Sequence, residues 1–188
     1  MAKTRGKREA APTESLAADI FYWAEALVFA LTFLVIVSVF FARLSGVDGS
    51  SMVPTLKDHD QLVVQLIGYD TPQRGDIVVL ETPAYEDEPL VKRVIGIAGD
   101  VIDIDGTTGT VLRNGEALFE PYIAEPIREF GTISYPFTVP KDCAFVMGDN
   151  RNHSSDSRTA AVGAVPYESI IGRVMFRVLP ITKIGTIS

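Results

Sequence analysis

Between Ala26 and Ala42 the chain runs for 17 residues without a charge, and Phe21, Tyr22 and Trp23 stand just upstream. At about 1.5 Å per helical residue, this run and its aromatic turn reach roughly 30 Å, the thickness of a bilayer's hydrocarbon core. The sequence therefore predicts one transmembrane helix over residues 20–42. Glu25 falls near one end of that span, where it faces headgroups; in mid-bilayer its charge would be costly. A cleaved signal peptide or a buried soluble helix is also apolar. A signal core, however, runs for about 7–15 residues and ends at small ones, whereas this run is longer and meets Arg43 and Leu44. Residues 1–19 read as a polar tail in which Lys3, Arg5, Lys7 and Arg8 precede any acid. By the positive-inside rule the N-terminus is cytoplasmic and the remainder lies outside, as in a single-pass plasma-membrane protein.

Charge narrows the partners. Lys and Arg total 17 against 24 Asp and Glu, a net charge of −7, so a broad cationic face for a phosphate backbone is not expected, nor is nucleic acid as a partner. The lipid bilayer is. The single cysteine, Cys143, cannot close an intrachain disulfide. With only His59 and His153 available, nothing has zinc-ligand spacing, so no metal and no cofactor are expected.

Residues 43–188 are long enough for one filled core, and their local pattern is that of strands. QLVVQLI (61–67), DIVVLE (76–81), LVKRVIGI (90–97), VIDI (101–104), TVLR (110–113), AFVMG (144–148) and IIGRVMFRVL (170–179) are rich in Val and Ile. Pro72, Gly75, Pro83, Gly99-Asp100, Asp105-Gly106, Asn114-Gly115 and Pro140 separate them, and Asn114-Gly115 suits a type I′ hairpin. No long helical stripe occurs in this part, which predicts a mainly β, antiparallel domain over 43–188. Pro83 to Pro89, with Glu86, Asp87 and Glu88, reads as a solvated acidic turn.

Three polar islands interrupt the strands. The first, Gly49-Ser50-Ser51-Met52-Val53-Pro54-Thr55-Leu56, is a shaped loop, since Pro54 moves Val53 away from helical angles; it is either a plain linker or a site for an exposed serine. The second is Lys92-Arg93, inside an apolar run. Strand alternation sets the two cations on opposite faces, so one shares an apolar face. Either an edge strand lets it snorkel to water, or Lys92 points inward and burial depresses its pKa. The third island, Gly148 to Arg158, is either a solvated loop or a self-satisfied polar network behind a site.

Together these blocks resemble the bacterial type I signal peptidases of the Gram-positive kind. The match succeeds an N-terminal anchor and runs in order through Gly49–Leu56, Arg74–Val79, Val91–Asp100, Gly148–Arg151 and Ser154–Arg158. The resemblance implies an antiparallel-sheet catalytic domain of the signal-peptidase/LexA-like type. It also implies a membrane-anchored serine endopeptidase that cleaves signal peptides from exported preproteins after small residues. In it Ser51 would be the nucleophile, Lys92 the general base, and Ser154 the hydroxyl that orients the lysine amine. Asp156 and Arg158 would form a supporting ion pair, and Asp149 and Arg151 would hold the loop. The Ser51 N–H would be one oxyanion donor. Where some members place a serine as second donor, this chain has Gly49, and Asn152-His153 stands where many relatives carry Asp-Asn. Val47, Leu56 and Val91 would line shallow substrate pockets.

Two other enzyme classes compete on residue type alone. His153 with a nearby acid could serve a Ser-His-Asp hydrolase, and Cys143 a sortase-like transpeptidase, although its strand setting reads as buried. A tethered β domain that only binds a partner is the non-enzymatic alternative; in it Lys92 would titrate near its ordinary value.

Overall fold

The computed structural model describes residues 16–187. Lys3, Arg5, Lys7 and Arg8 of the expected basic tail lie outside the described residues. The chain forms two compact units that divide between Val39 and Phe40.

Among the described residues the first unit consists of helix α1 (Leu16–Phe41), whose last two residues belong to the second. Within it Ala18–Ile36 is long and apolar enough to cross a membrane, and none of that stretch is buried inside the protein. Trp23 is 78% and Phe33 70% exposed. A soluble helix hides one apolar stripe, whereas this one is apolar all round, the pattern of a helix whose solvent is lipid. It starts earlier than the expected span, and Ala42 belongs to the next element, a strand.

Among the described residues the second unit has twelve strands: β1 (Ala42–Gly46), β2 (Gln61–Gln65), β3 (Ile77–Thr82), β4 (Tyr85–Ile97), β5 (Val101–Ile104), β6 (Val111–Arg113), β7 (Glu116–Ala117), β8 (Phe137–Thr138), β9 (Cys143–Met147), β10 (Val165–Pro166), β11 (Ile170–Leu179) and β12 (Gly185–Thr186). The larger sheet has the order β1-β2-β11-β3-β4-β9-β10, with β12 on β11; the smaller is β7-β6-β5-β8. Every pairing is antiparallel, so the domain is mainly antiparallel β, as its Val and Ile runs predict. Asn114 and Gly115 both take positive φ, 56° and 83°, between paired Arg113 and Glu116, the requirement of a type I′ turn.

The structure corrects one expectation and closes one alternative. The acidic turn is shorter than expected: it is confined to Pro83 and Ala84, and β4 already starts at Tyr85, which pairs with Thr82 across an irregularity in the ladder, while Glu88 and Pro89 are exposed as expected. The Lys92 strand is not an edge. β4 lies between β3 and β9, paired on both sides, so neither Lys92 nor Arg93 can snorkel; each is 2% exposed.

The core has three parts. Val47, Met52, Leu56, Leu62, Val64 and neighbours fill the β1–β2 end. Ile95, Ile102, Phe145 and Met147 join the two sheets, and Val78, Leu80, Val94 and Val146 close the β9 side.

Candidate active site

Ser51 sits in the loop that joins β1 to β2. The loop's ends are tied, the Val47 N–H donating to the Asp60 carbonyl at 2.8 Å and the His59 N–H to the Val47 carbonyl at 2.9 Å. Met52 and Leu56, 2% and 0% exposed, anchor the loop in the core, and the Leu56 N–H donates to the Met52 carbonyl at 2.9 Å. Ser51 is thereby fixed by the burial of its neighbour, while its own side chain is only half-buried. The Gly49 N–H donates to Asp58 Oδ1 at 3.0 Å.

Lys92 reaches this loop from the middle of the larger sheet, where it pairs with Val78. Its Nζ lies 2.8 Å from Ser51 Oγ and donates to the Val91 carbonyl at 3.0 Å. No carboxylate forms an ion pair with it among the described residues. Burial therefore dominates its titration. Loss of hydration pulls the amine down to about 8, and attraction from Asp156 opposes the shift without cancelling it. A hydroxyl against a buried amine that sheds its proton near pH 8 is the pairing that general-base activation of an alcohol needs.

The segment after β9 supports both groups. The Asn150 N–H donates to the Ser51 carbonyl at 2.9 Å, and Asn150 Nδ2 to the Ser50 carbonyl at 3.0 Å. Asp156, fully buried, accepts from the Gly148 N–H at 3.0 Å and from Arg158 Nε and Nη2 at 2.8 and 2.9 Å. Arg158 in turn donates to the Glu129 carbonyl at 2.8 Å. The expected Asp156–Arg158 ion pair is thus formed, and the third island is a polar network around buried Asp149, Arg151, Asp156 and Arg158, with His153 and Ser155 exposed at its surface.

Ser154 differs from its expected setting. Its hydroxyl is buried without a hydrogen-bond partner, so the expected bond to Lys92 is not made in this structure. A side chain added to Gly148 would collide with both the Ser154 hydroxyl oxygen and the Ser51 carbonyl oxygen, so the two crowd one glycine. Of the residues expected to line substrate pockets, Leu56 has no exposed surface and Val47 is 6% exposed; both are core. Val91 is half-buried and packs on that cluster.

Sequence reasoning missed the partners of the two other buried arginines. Arg93 forms a two-point ion pair with Asp149, stacks 3.9 Å over the Tyr122 ring and donates to the Gly75 carbonyl. Arg151 holds Glu120 at 2.8 and 2.6 Å, and Thr55 donates its hydroxyl to Asp149. The legible signal was the cation beside Lys92: alternation sends it to the opposite face, where an apolar setting demands a carboxylate. Nothing local marks Glu120.

The competing nucleophile and base fare differently. His153 is exposed, and the basic group at Ser51 Oγ is Lys92. The Cys143 thiol, half-buried at the start of β9, is pushed up by burial and by Asp142, the wrong direction for a thiolate nucleophile.

Comparison with known proteins gives the family. The family described as signal peptidase, peptidase S26, matches residues 20–179. The chain is 39% identical over 159 residues to a signal peptidase I of Leptolyngbya laminosa, covering 79% of this chain and 74% of that one. It is 35% identical over 171 residues to signal peptidase I of Bacillus amyloliquefaciens, covering 86% and 89%. Signal peptidase IB of Staphylococcus aureus is 32% identical over 182 residues, covering 88% and 92%. A crystal structure of a signal peptidase I from Enterococcus faecalis superposes with a TM-score of 0.46 at 29% identity, over 55% of this chain and 96% of that one.

Proposed function

Because the chain belongs to the signal peptidase family, peptidase S26, we propose that Ser51 is the nucleophile and Lys92 the general base with which this serine peptidase cleaves signal peptides. The observation that carries the assignment is the 2.8 Å approach of Lys92 Nζ to Ser51 Oγ, made by an amine only 2% exposed.

Neutral Lys92 takes the proton of the Ser51 hydroxyl as Oγ attacks the carbonyl carbon of the scissile bond. The resulting ammonium then gives that proton to the leaving amine, and the acyl group remains on Ser51. Water, deprotonated by the same amine, hydrolyses the ester and restores the serine. A lysine titrating at about 8 is neutral in about a tenth of molecules at pH 7, against about 1 in 3,000 for a solvated one. Burial thus raises the share of competent base about 300-fold. The Ser51 N–H is one donor for the oxyanion. The Gly49 N–H is held by Asp58, so the second donor comes from elsewhere.

Ser154 serves as the orienting hydroxyl once it turns toward Lys92; its lack of a competing partner leaves it available. Asp156 and Arg158 hold the backbone that carries it. Val91 faces the residues before the cut, with Val47 and Leu56 as the packed layer behind. The substrates are exported preproteins, presented to the enzyme by their own apolar segments. The helix Leu16–Phe41 anchors the enzyme in the plasma membrane, with the N-terminus cytoplasmic and the β domain outside.

Cleavage of a preprotein by the wild type, Ser51→Ala and Lys92→Ala in detergent tests the reading. Both variants lose turnover with unchanged circular dichroism, while His153→Ala and Cys143→Ala keep it. Full activity in Lys92→Ala would end the dyad assignment.

A further inference from the structure

Asn150 grips the backbone on both sides of the Ser51 Cα. Its N–H donates to the Ser51 carbonyl at 2.9 Å, and its side-chain Nδ2 donates to the Ser50 carbonyl at 3.0 Å, across a separation of 100 residues. The two acceptors belong to the two peptide units that meet at that Cα. A peptide unit is planar, so a bond to its carbonyl also fixes the direction of its N–H. The unit that contains the Ser50 carbonyl contains the Ser51 N–H as well, and it is trans, so the two groups point in opposite directions. Whatever holds the Ser50 carbonyl therefore aims the Ser51 N–H.

That N–H is free to act. Among the described residues no protein group accepts from it, whereas the Gly49 N–H is held by Asp58. The Ser50 carbonyl is held twice, by the Val53 N–H at 3.1 Å and by Asn150 Nδ2. The Val53 bond lies inside the loop and moves with it; the amide ties the peptide unit to the segment after β9. Asn150 is itself fixed there. Its carbonyl accepts from the His153 N–H at 2.9 Å, and Asp149 before it is bonded at two points to Arg93. A hydrogen bond at the carbonyl end also polarises the unit, which strengthens its N–H as a donor.

A donor stabilises an oxyanion most when it is already aimed as the charge develops. Resting on the Ser51–Lys92 reading, we propose that Asn150 is a positioning residue whose side-chain amide holds the Ser50–Ser51 peptide unit so that the Ser51 N–H faces the oxygen of the scissile carbonyl. It acts through the backbone, so it governs the chemical step and neither substrate binding nor the titration of the base.

The test compares wild type, Asn150→Ala and Asn150→Gln as full-length protein in detergent. Asn150→Ala deletes the amide and keeps the backbone bond to Ser51. Its kcat on a preprotein is expected to fall about tenfold, less than the roughly 100- to 1,000-fold of losing a donor outright, because the N–H remains and Val53 still holds the carbonyl. KM should stay near wild type, and so should the midpoint of the pH dependence of kcat/KM, about 8. A substrate-derived peptide aldehyde reads the oxyanion directly: Ser51 Oγ adds to its carbonyl carbon, Lys92 takes the hydroxyl proton, and the aldehyde oxygen becomes the oxyanion. Its affinity should fall by the same factor as kcat. Asn150→Gln, which keeps the amide on a longer arm, is expected to recover part of both losses; should Asn150→Ala fail to fold, Asn150→Gln is expected to show the same parallel fall at smaller size. An unchanged kcat, a change confined to KM, a displaced pH midpoint or an unchanged aldehyde affinity would overturn the assignment. Turnover by Ser51→Ala, or full activity in Lys92→Ala, would instead overturn the dyad, so the two failures are separable.

Discussion

Arg93 and Asp149 face each other as two parallel hydrogen bonds, Nε to Oδ1 at 2.9 Å and Nη2 to Oδ2 at 2.8 Å, with 2% and 0% of their side chains exposed. Arg93 is next to Lys92 on β4, and Asp149 precedes Asn150, whose N–H holds the Ser51 carbonyl. The pair therefore clamps the strand bearing the amine to the loop that touches the serine. A planar, bidentate pair fixes separation and orientation together, which a lysine in place of Arg93 could not do.

Removing one partner leaves an uncompensated charge in the core. Asp149→Ala is expected to cost about 3–5 kcal/mol of stability, read as a lowered midpoint in thermal or denaturant unfolding of the detergent-solubilised chain. Arg93→Met combined with Asp149→Leu removes both charges and is expected to recover much of that stability. It will not recover activity, because the clamp is gone. A double variant no more stable than Asp149→Ala would contradict this account of the pair.

The amine at residue 92 sets the pH profile. With burial holding it at about 8, the free enzyme gains its base as pH rises through that value, so kcat/KM should climb tenfold per pH unit below it and level off above. A solvated lysine would place the rise beyond pH 10. A carboxylate base would show instead as a plateau down to about pH 4, and that profile would remove Lys92 from the mechanism.

The same burial weakens the fold. The folded-state pKa, about 8, lies below the ordinary 10.5, so between these values the unfolded chain binds the proton that the folded one has released. The folded state carries the full penalty below pH 8 and sheds it as pH rises toward 10.5. Lys92→Met, of similar length and without charge, is expected to be inactive yet more stable than wild type by about 3 kcal/mol at pH 7. That advantage should disappear by about pH 10.5. Unfolding midpoints at pH 7, 9 and 10.5 measure it, and a variant less stable at pH 7 would refute the desolvation argument.

How far the chain could be read depended on the range of the interactions. VIDI and IIGRVMFRVL end where their strands end, because β-branched runs bounded by Gly, Asp and Pro carry their own signals. β1 did not stand out, since ARLSG directly abuts the uncharged run and its partner β2 lies beyond the Ser51 loop. Glu86 to Glu88 misled because their composition is that of a turn, while they fall within a strand that pairs with β3 at Tyr85 and again from Leu90. At the site, alternation correctly set Lys92 and Arg93 on opposite faces. Whether the strand was an edge depended on β9, fifty residues away, and so did the burial of both cations. Glu120 and Tyr122, which complete the arginine layer, lie in a long segment without periodicity, where no local pattern marks them.

Ser154 separates structural from positioning roles. Its buried hydroxyl has no partner, so Ser154→Ala removes no hydrogen bond from the resting fold and relieves an unsatisfied polar group. Stability should change by less than about 0.5 kcal/mol or rise slightly. In turnover the hydroxyl's rotation toward Lys92 Nζ would add one hydrogen bond that holds the amine on Ser51. Losing a bond worth about 1.4 kcal/mol lowers kcat about tenfold. Because the loss falls on the base, the variant's pH–rate profile should shift along with its kcat, while KM stays near wild type; Ser154→Thr, which keeps a hydroxyl, should restore part of the rate. An unchanged kcat in Ser154→Ala would show that the hydroxyl never turns to the lysine, and the amine would then be held by Ser51 and the Val91 carbonyl alone.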